Sequence, residues 1–68
     1  MEIYEVELCR RGRWGQEHLH VVAARDADEA AYNVTGKRFR SEGERRNVRL
    51  RVRRLGIGSE PPTLFYAG

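Results

Sequence analysis

The chain contains a single cysteine and no apolar run that approaches the roughly 20 residues needed to cross a bilayer. Cys9 alone excludes an internal disulfide framework and is typical of a protein in a reducing compartment. The first five residues lack the basic region and the apolar stretch of a secretion signal, so we expect a cytoplasmic protein without membrane contact.

The chain also lacks the signals of a catalytic protein. Thr35-Gly36-Lys37 has neither the upstream glycine nor the following Ser or Thr of a phosphate-binding loop. With 68 residues, 40% hydrophobic and 34% charged, we expect one domain over residues 1–68, with a thin core and little room for a water-excluding pocket. A Cys9–His18 pair on an open sheet would have no oxyanion hole. We therefore predict a non-enzymatic protein without a cofactor.

Lysine is almost absent, because twelve of the thirteen basic residues are arginine. Arginine binds phosphate or carboxylate through two parallel hydrogen bonds, which lysine cannot do. The charge is also uneven. Residues 1–34 hold four Arg against seven Asp or Glu, net −3, whereas residues 35–68 hold nine Lys or Arg against three Glu, net +6. Coding bias in a GC-rich genome and selection for anion binding are both compatible with this composition.

The clearest pattern in the sequence is the alternation over residues 47–54. Val48, Leu50 and Val52 share one parity, and three arginines share the other. Because successive side chains of a strand point to opposite faces, this pattern predicts a half-buried β-strand with a row of guanidinium groups on its outer face. The row consists of Arg49, Arg51 and Arg53.

Two further segments alternate before the helix, residues 3–10 and residues 18–24. Between them, Gly12 and Gly15 mark a turn. The two segments therefore predict an antiparallel hairpin.

Parity predicts the register of this hairpin. Pairing Leu8 with Leu19 and Val6 with Val21 puts the apolar residues on one face, through a loop of two or four residues around Arg13-Trp14. Trp14 would then lie at the exposed tip, where it either contacts a partner or folds back over the edge of the sheet.

A helix is predicted to follow the hairpin. Asp26 can cap it, Glu29 stands at the capping-box spacing, and Gly36 is expected to end it. Its small apolar stripe would face the sheet, and Phe39 could extend that stripe by another turn. The stripe consists of Ala27, Ala30, Ala31 and Val34.

The rest of the chain predicts a charged connection at 40–46, a strand end or bulge at Arg53-Arg54, a loop at 56–62 and an apolar edge strand at 63–67. The fold class is then α+β, ββαββ, with a four-stranded antiparallel sheet in the order 2-1-3-4 and one helix on one face. The opposite face would be open. It would show Glu5, Glu7 and Cys9 in the middle, His18 and His20 on one side, and the arginine row on the other.

The arginine row has two interpretations. Glu5 and Glu7 could pair with it across the strands, each exposed pair contributing only about 0.2–1 kcal/mol. Three arginines would face these two glutamates, however, and further basic residues lie near the ends of the strand, which favours an anionic partner. The expected contact residues are Arg49, Arg51, Arg53, Arg54, Arg45, Arg46, Arg40, Arg13 and Trp14.

A metal site is a less favoured alternative. In the predicted register, Cys9 faces His18 and Glu7 faces His20, and Cys, His and carboxylate are the usual zinc ligands. The spacing matches no common zinc pattern, and Glu7–His20 is equally an ion pair, so we predict that no metal is bound.

Two families resemble parts of this plan. Residues 22–30, VAARDADEA, together with Gly12-Arg13-Trp14 and the basic third strand, resemble the small archaeal ribosomal protein LX of the L18a type, which implies binding to ribosomal RNA. The first strand is more acidic here and residues 56–68 are additional, so individual ribosomal contacts do not transfer.

The whole strand-strand-helix-strand-strand plan and the length resemble small phage anti-CRISPR proteins that inhibit type I Cascade complexes. This resemblance implies a phage-type inhibitor that docks on a bacterial nucleic-acid-handling complex through the arginine-rich face, as a monomer or weak homodimer. The alternative is a module of ribosomal or regulatory type that binds RNA or DNA directly.

Overall fold

The computed structural model describes residues 1–56 and 61–67, except for the side chains of residues 16–18. The predicted loop at 56–62 therefore lies largely outside the described residues. Within them, the chain forms four strands, an α-helix and a short 3₁₀ helix. These elements are β1 (Glu2–Arg10), β2 (Arg13–Ala24), α1 (Ala27–Thr35), the 3₁₀ helix (Arg45–Asn47), β3 (Val48–Arg54) and β4 (Thr63–Tyr66).

The strands form one antiparallel sheet in the order β2-β1-β3-β4. Beyond β4, Arg40 forms an isolated antiparallel bridge with Tyr66, which adds a fifth extended segment at that edge. The α+β class, with one helix and an antiparallel sheet, is therefore confirmed. The prediction of four extended segments omitted the one at Arg40.

The local signals around α1 act as predicted. Asp26 Oδ1 accepts a hydrogen bond from the Glu29 backbone N–H at 2.8 Å, and Glu29 Oε1 accepts one from the Arg25 N–H at 3.1 Å. Gly36 ends the helix in the left-handed region, with φ of 73°, and its N–H donates to the Tyr32 carbonyl. Phe39 does not extend the helix, but it packs against the core from the segment that follows.

The core lies between α1 and one face of the sheet. Ala30 and Ala31 are buried on the helix, which lets it lie close to the strands. The largest fully buried side chains come from three strands, so the core depends on pairing between distant segments. They are Phe65, Leu50, Val6 and Val52.

The hairpin turn lies earlier in the chain than predicted. Arg10 pairs with Arg13, which leaves only Arg11 and Gly12 in the turn, with φ values of 53° and 75°. Two consecutive positive φ angles are typical of a type I′ hairpin turn. The predicted loop around Arg13-Trp14 is therefore wrong, because Trp14 lies within β2 and not at the tip.

The register of the hairpin is also wrong by one residue. Glu7 lies opposite Leu19, and Val6 lies opposite His20. The two paired segments of the hairpin are joined on β2 by an irregular stretch, residues 15–18, which takes up the extra residues.

This shift exchanges the two faces of β2. Val22 packs against the core and Ala24 is buried within it. Val21, predicted to be in the core, is 60% exposed on the open face, the side of the sheet away from α1. Leu19 and Ala23 share its parity and so its side of the strand.

Candidate functional site

An ion pair lies in the middle of the open face. Arg51 donates from Nε and a terminal nitrogen to Glu7 Oε1, at 3.0 and 2.8 Å. Both side chains are partly buried, with 30% and 17% of their surface exposed. Glu5 lies opposite Arg53 in the register, but the described residues show no ion pair between them. Arg51 is therefore neutralised, whereas Arg53 is exposed.

Trp14 covers this ion pair. The Arg51 guanidinium carbon lies 4.3 Å from the centre of the Trp14 ring, a cation–π contact. Trp14 is half-buried and lies opposite Cys9 in the sheet. Of its two predicted positions, the structure has the one in which the ring folds over the sheet.

A groove of about 840 Å³ runs from Trp14 across the open face toward β4. Four arginines and two aromatic rings line this basic groove, and no carboxylate belongs to its described lining. The remaining lining side chains are small or apolar, among them Val48 and Leu64. The arginines are Arg45, Arg46, Arg49 and Arg51, and the rings are Trp14 and Tyr66.

The segment before β3 forms one wall of the basic groove. Gly43 lies against Tyr66, where an added Cβ would stand 2.9 Å from the Tyr66 Cβ and Cγ atoms. The 3₁₀ helix that follows brings Arg45 and Arg46 to the groove, and both are exposed. Arg46 Nε lies 2.9 Å from Glu44 Oε2, an ion pair open to solvent that contributes little.

Arg49 lies at an irregular position in β3, between the Val48–Tyr66 and Leu50–Phe65 pairs. Its side chain is exposed, and a terminal nitrogen donates to the Val48 carbonyl at 3.1 Å. Because of this irregularity, Arg49 reaches the end of the sheet and lines a second groove as well.

The second groove, of about 750 Å³, lies on the helix side of the same end of the sheet. Its floor is apolar, and cationic side chains surround it. The floor includes Leu8, Val34, Phe39 and Leu50, and the cations are Arg10, Lys37, Arg38 and Arg49. Positive charge from both faces therefore meets at one end of the molecule.

The hairpin tip adds to this basic end. Arg10, Arg11 and Arg13 are all exposed. The antiparallel register puts the Arg10 end of β1 beside the Val48 end of β3. The 3₁₀ helix immediately precedes that end of β3. The arginines of the hairpin tip and those of the basic groove consequently lie at the same end of the sheet.

The predicted contact residues are thus only partly assembled. Arg53 lies on the open face but outside the basic groove. Arg54 is opposite Tyr4, which puts it on the helix side, where it is half-buried. Arg40 pairs through its backbone with Tyr66, and Arg13 stands at the turn.

The structure separates the proposed metal ligands. His20 lies opposite Val6 on the helix side, whereas Glu7 is on the open face and bonded to Arg51. Cys9 faces Trp14, and the side chain of His18 lies outside the described residues. No group of three potential ligands from His, Cys, Asp and Glu occurs in the part of the chain that the structure describes.

Sequence reasoning missed Tyr66, Leu64 and Gly43 as groove residues. Alternation could have found Tyr66, since it follows the buried Phe65 and so faces the other side of the strand. Gly43 carries no such signal, because its contact with Tyr66 joins segments distant in the chain.

Comparisons with protein-family models, curated proteins and solved structures found no match to this chain. The nine-residue α1 is short, and no helix in residues 1–56 and 61–67 has the length and apolar character that crossing a membrane requires.

Proposed function

We propose that this chain is a non-enzymatic protein that binds single-stranded RNA or DNA directly in the basic groove. The observation that carries the proposal is the lining of that groove, which combines Trp14 and Tyr66 with four arginines, two of which, Arg45 and Arg49, have no ion pair among the described residues. Proteins that bind single strands pair a positive groove for the backbone with aromatic rings on which bases stack.

The aromatic rings favour a single strand over a duplex. Bases inside a duplex are already stacked on one another and present only their edges. An aromatic ring at the protein surface therefore finds no free base face on which to stack. An unpaired base can stack on Trp14, whose ring is half-buried and contacts the Arg51 guanidinium group. Tyr66 offers a second ring in the same groove.

The hairpin turn supports the same proposal. Arg11 occupies a left-handed position, with φ of 53°, that Asn or Gly would accept at lower cost. Non-glycine residues held in this sparsely populated backbone region cluster at functional sites. Here the exposed guanidinium of Arg11 extends the positive end toward an incoming phosphate backbone.

The test is a binding titration with fluorescently labelled RNA and DNA of about twelve nucleotides, single-stranded and duplex. We expect single strands to bind more tightly than the matching duplex. The logarithm of the affinity should fall linearly with the logarithm of the salt concentration, because bound phosphates release counterions.

Trp14 supplies a second readout, since it is the only tryptophan in the chain. A base stacked on the ring should quench its fluorescence, whereas inorganic polyphosphate should bind the arginines without quenching. No binding at low salt, or equal binding of the duplex with unchanged fluorescence, would contradict the proposal.

A second candidate function is the phage-type inhibitor that docks on a bacterial nucleic-acid-handling complex. Trp, Tyr and Arg are also the residues that dominate protein interfaces. The open face adds exposed apolar side chains, since Ile3 is 46% and Leu64 is 37% exposed. Capture of such a complex from bacterial lysate, by a chain that binds no oligonucleotide, would favour this candidate. Cytoplasmic location stays a prediction for either function.

A further inference from the structure

The two edges of the sheet are protected to different degrees. At β4, the Arg40 N–H donates to the Tyr66 carbonyl at 3.1 Å, and the Tyr66 N–H donates to the Arg40 carbonyl at 2.8 Å. This bridge covers part of a strand that is only four residues long. At the other edge, β2 runs for twelve residues and pairs only with β1 among the described segments. Such an edge presents unpaired backbone groups to any strand that approaches.

The second half of β2 carries none of the usual devices that prevent edge pairing. Those devices are charged side chains, proline, bulges and short strands. Residues 19–24 contain no Lys, Arg, Asp, Glu or Pro, and the irregular stretch of β2 lies before them. Val21 is 60% exposed, and the neighbouring Ile3 on β1 is 46% exposed. An apolar, uncharged edge is therefore available to a partner strand.

We propose that this edge binds a second copy of the chain, with residues 19–24 of the two β2 strands pairing antiparallel around a two-fold axis at Val21. A two-fold axis perpendicular to the sheet keeps each side chain on its own face, so position 21 faces itself and position 19 faces position 23. Val21 then meets Val21, and Leu19 meets the smaller Ala23. The product is a continuous eight-stranded sheet with both helices on one side.

Two features favour a second copy over a different protein. The side chains of the segment are complementary in size, because the large Leu19 lies opposite the small Ala23 on either side of the axis. The pairing also brings no like charges together. The exposed arginines of the hairpin tip, Arg11 and Arg13, lie at the far end of β2 and so at opposite ends of the dimer. Because only a short edge is buried, we expect dissociation in the micromolar range, on the order of 10 µM.

The test is sedimentation velocity of the purified chain between about 1 and about 200 µM. We expect the wild type to shift from monomer to dimer over this range. Val21→Lys and Val21→Glu should each remain monomeric, because position 21 then opposes a like charge. An equimolar mixture of the two variants should dimerise again, since Lys now faces Glu across the axis. Leu64→Lys, at the opposite edge, is the matched control and should dimerise like the wild type.

Every outcome bears on the proposal. A wild type that stays monomeric at the highest concentration overturns it, and this is also the result expected if a different protein occupies the edge. Dimerisation of Val21→Lys alone, or failure of the mixture while both variants show native circular dichroism, excludes pairing centred on Val21. Loss of dimers in Leu64→Lys would move the interface to β4.

Discussion

The two halves of the open face differ in chemistry although they belong to one sheet. Around β3 and β4, the surface is basic and aromatic, with Arg49 and Tyr66 in one groove. Around residues 19–24 of β2, the side chains on the open face are apolar and uncharged, and Val21 is 60% exposed. The Glu7–Arg51 pair separates the halves on the two central strands. The two proposed contacts, with a nucleic-acid strand and with a second copy of the chain, therefore involve different residues.

The largest effect should come from reversing charge in the basic half. Arg45→Glu with Arg49→Glu removes two cations that the groove would use for phosphate, each worth about 1.5–3 kcal/mol in a charged hydrogen bond. We expect single-strand affinity to fall by at least about 100-fold, with a shallower salt dependence, while dimerisation is unchanged. Fluorescence anisotropy and sedimentation measure the two effects.

The matched control carries the same charge change outside the groove. Arg25→Glu with Arg53→Glu alters two exposed arginines that do not line it. We expect a loss of less than about tenfold, from the long-range field alone. An equal loss in both double variants would mean that net charge, and not the groove, carries binding.

Trp14→Ala should have the next largest effect. Removal of one stacking ring costs about 1–3 kcal/mol per base, which corresponds to a loss of affinity of roughly 5- to 150-fold. Tyr32→Ala is the control, because Tyr32 also holds an arginine over its ring, Arg38 at 4.6 Å, but lies outside the groove. Both alanine variants should keep the melting temperature of the wild type. Trp14→Phe should recover most of the affinity.

Glu7→Gln should act in the opposite direction. The change releases Arg51 from its carboxylate and should raise single-strand affinity about two- to fivefold. The lost pair should lower the free energy of unfolding by about 1–3 kcal/mol, because both side chains are mostly buried and two hydrogen bonds join them. Glu5→Gln makes the same charge change without releasing Arg51, so a rise of equal size there would contradict the explanation.

The smallest effect on binding is expected from Asp26→Ala. Loss of the cap bond to the Glu29 N–H should lower the free energy of unfolding by about 1 kcal/mol in a urea titration. Neither half of the open face contacts this cap, so oligonucleotide affinity and dimerisation should stay at wild-type values. A change in either would show that the two surfaces depend on overall stability.

The limits of sequence reasoning are clearest in β2. Val22 and Ala24 on one parity, and Leu19, Val21 and Ala23 on the other, are all apolar. Periodicity therefore does not choose between the two faces of this segment, and pairing by parity assigns Leu19 and Val21 to the core. The actual turn at Arg11–Gly12 and the irregular stretch at 15–18 reversed the result.

The sequence by itself determined the local features of this protein: the capped helix, the alternation over residues 50–53 of β3, and the α+β class. Each of these depends on residues a few positions apart, whose periodicity and capping chemistry act within one element. Only the tertiary structure decided that Arg51 is neutralised by Glu7, that Arg45 and Arg49 share a groove with Trp14 and Tyr66, and that Val21 is exposed. These features depend on strand register and on bulges. One inserted residue turns the following side chains to the opposite face and leaves the local alternation of the sequence unchanged.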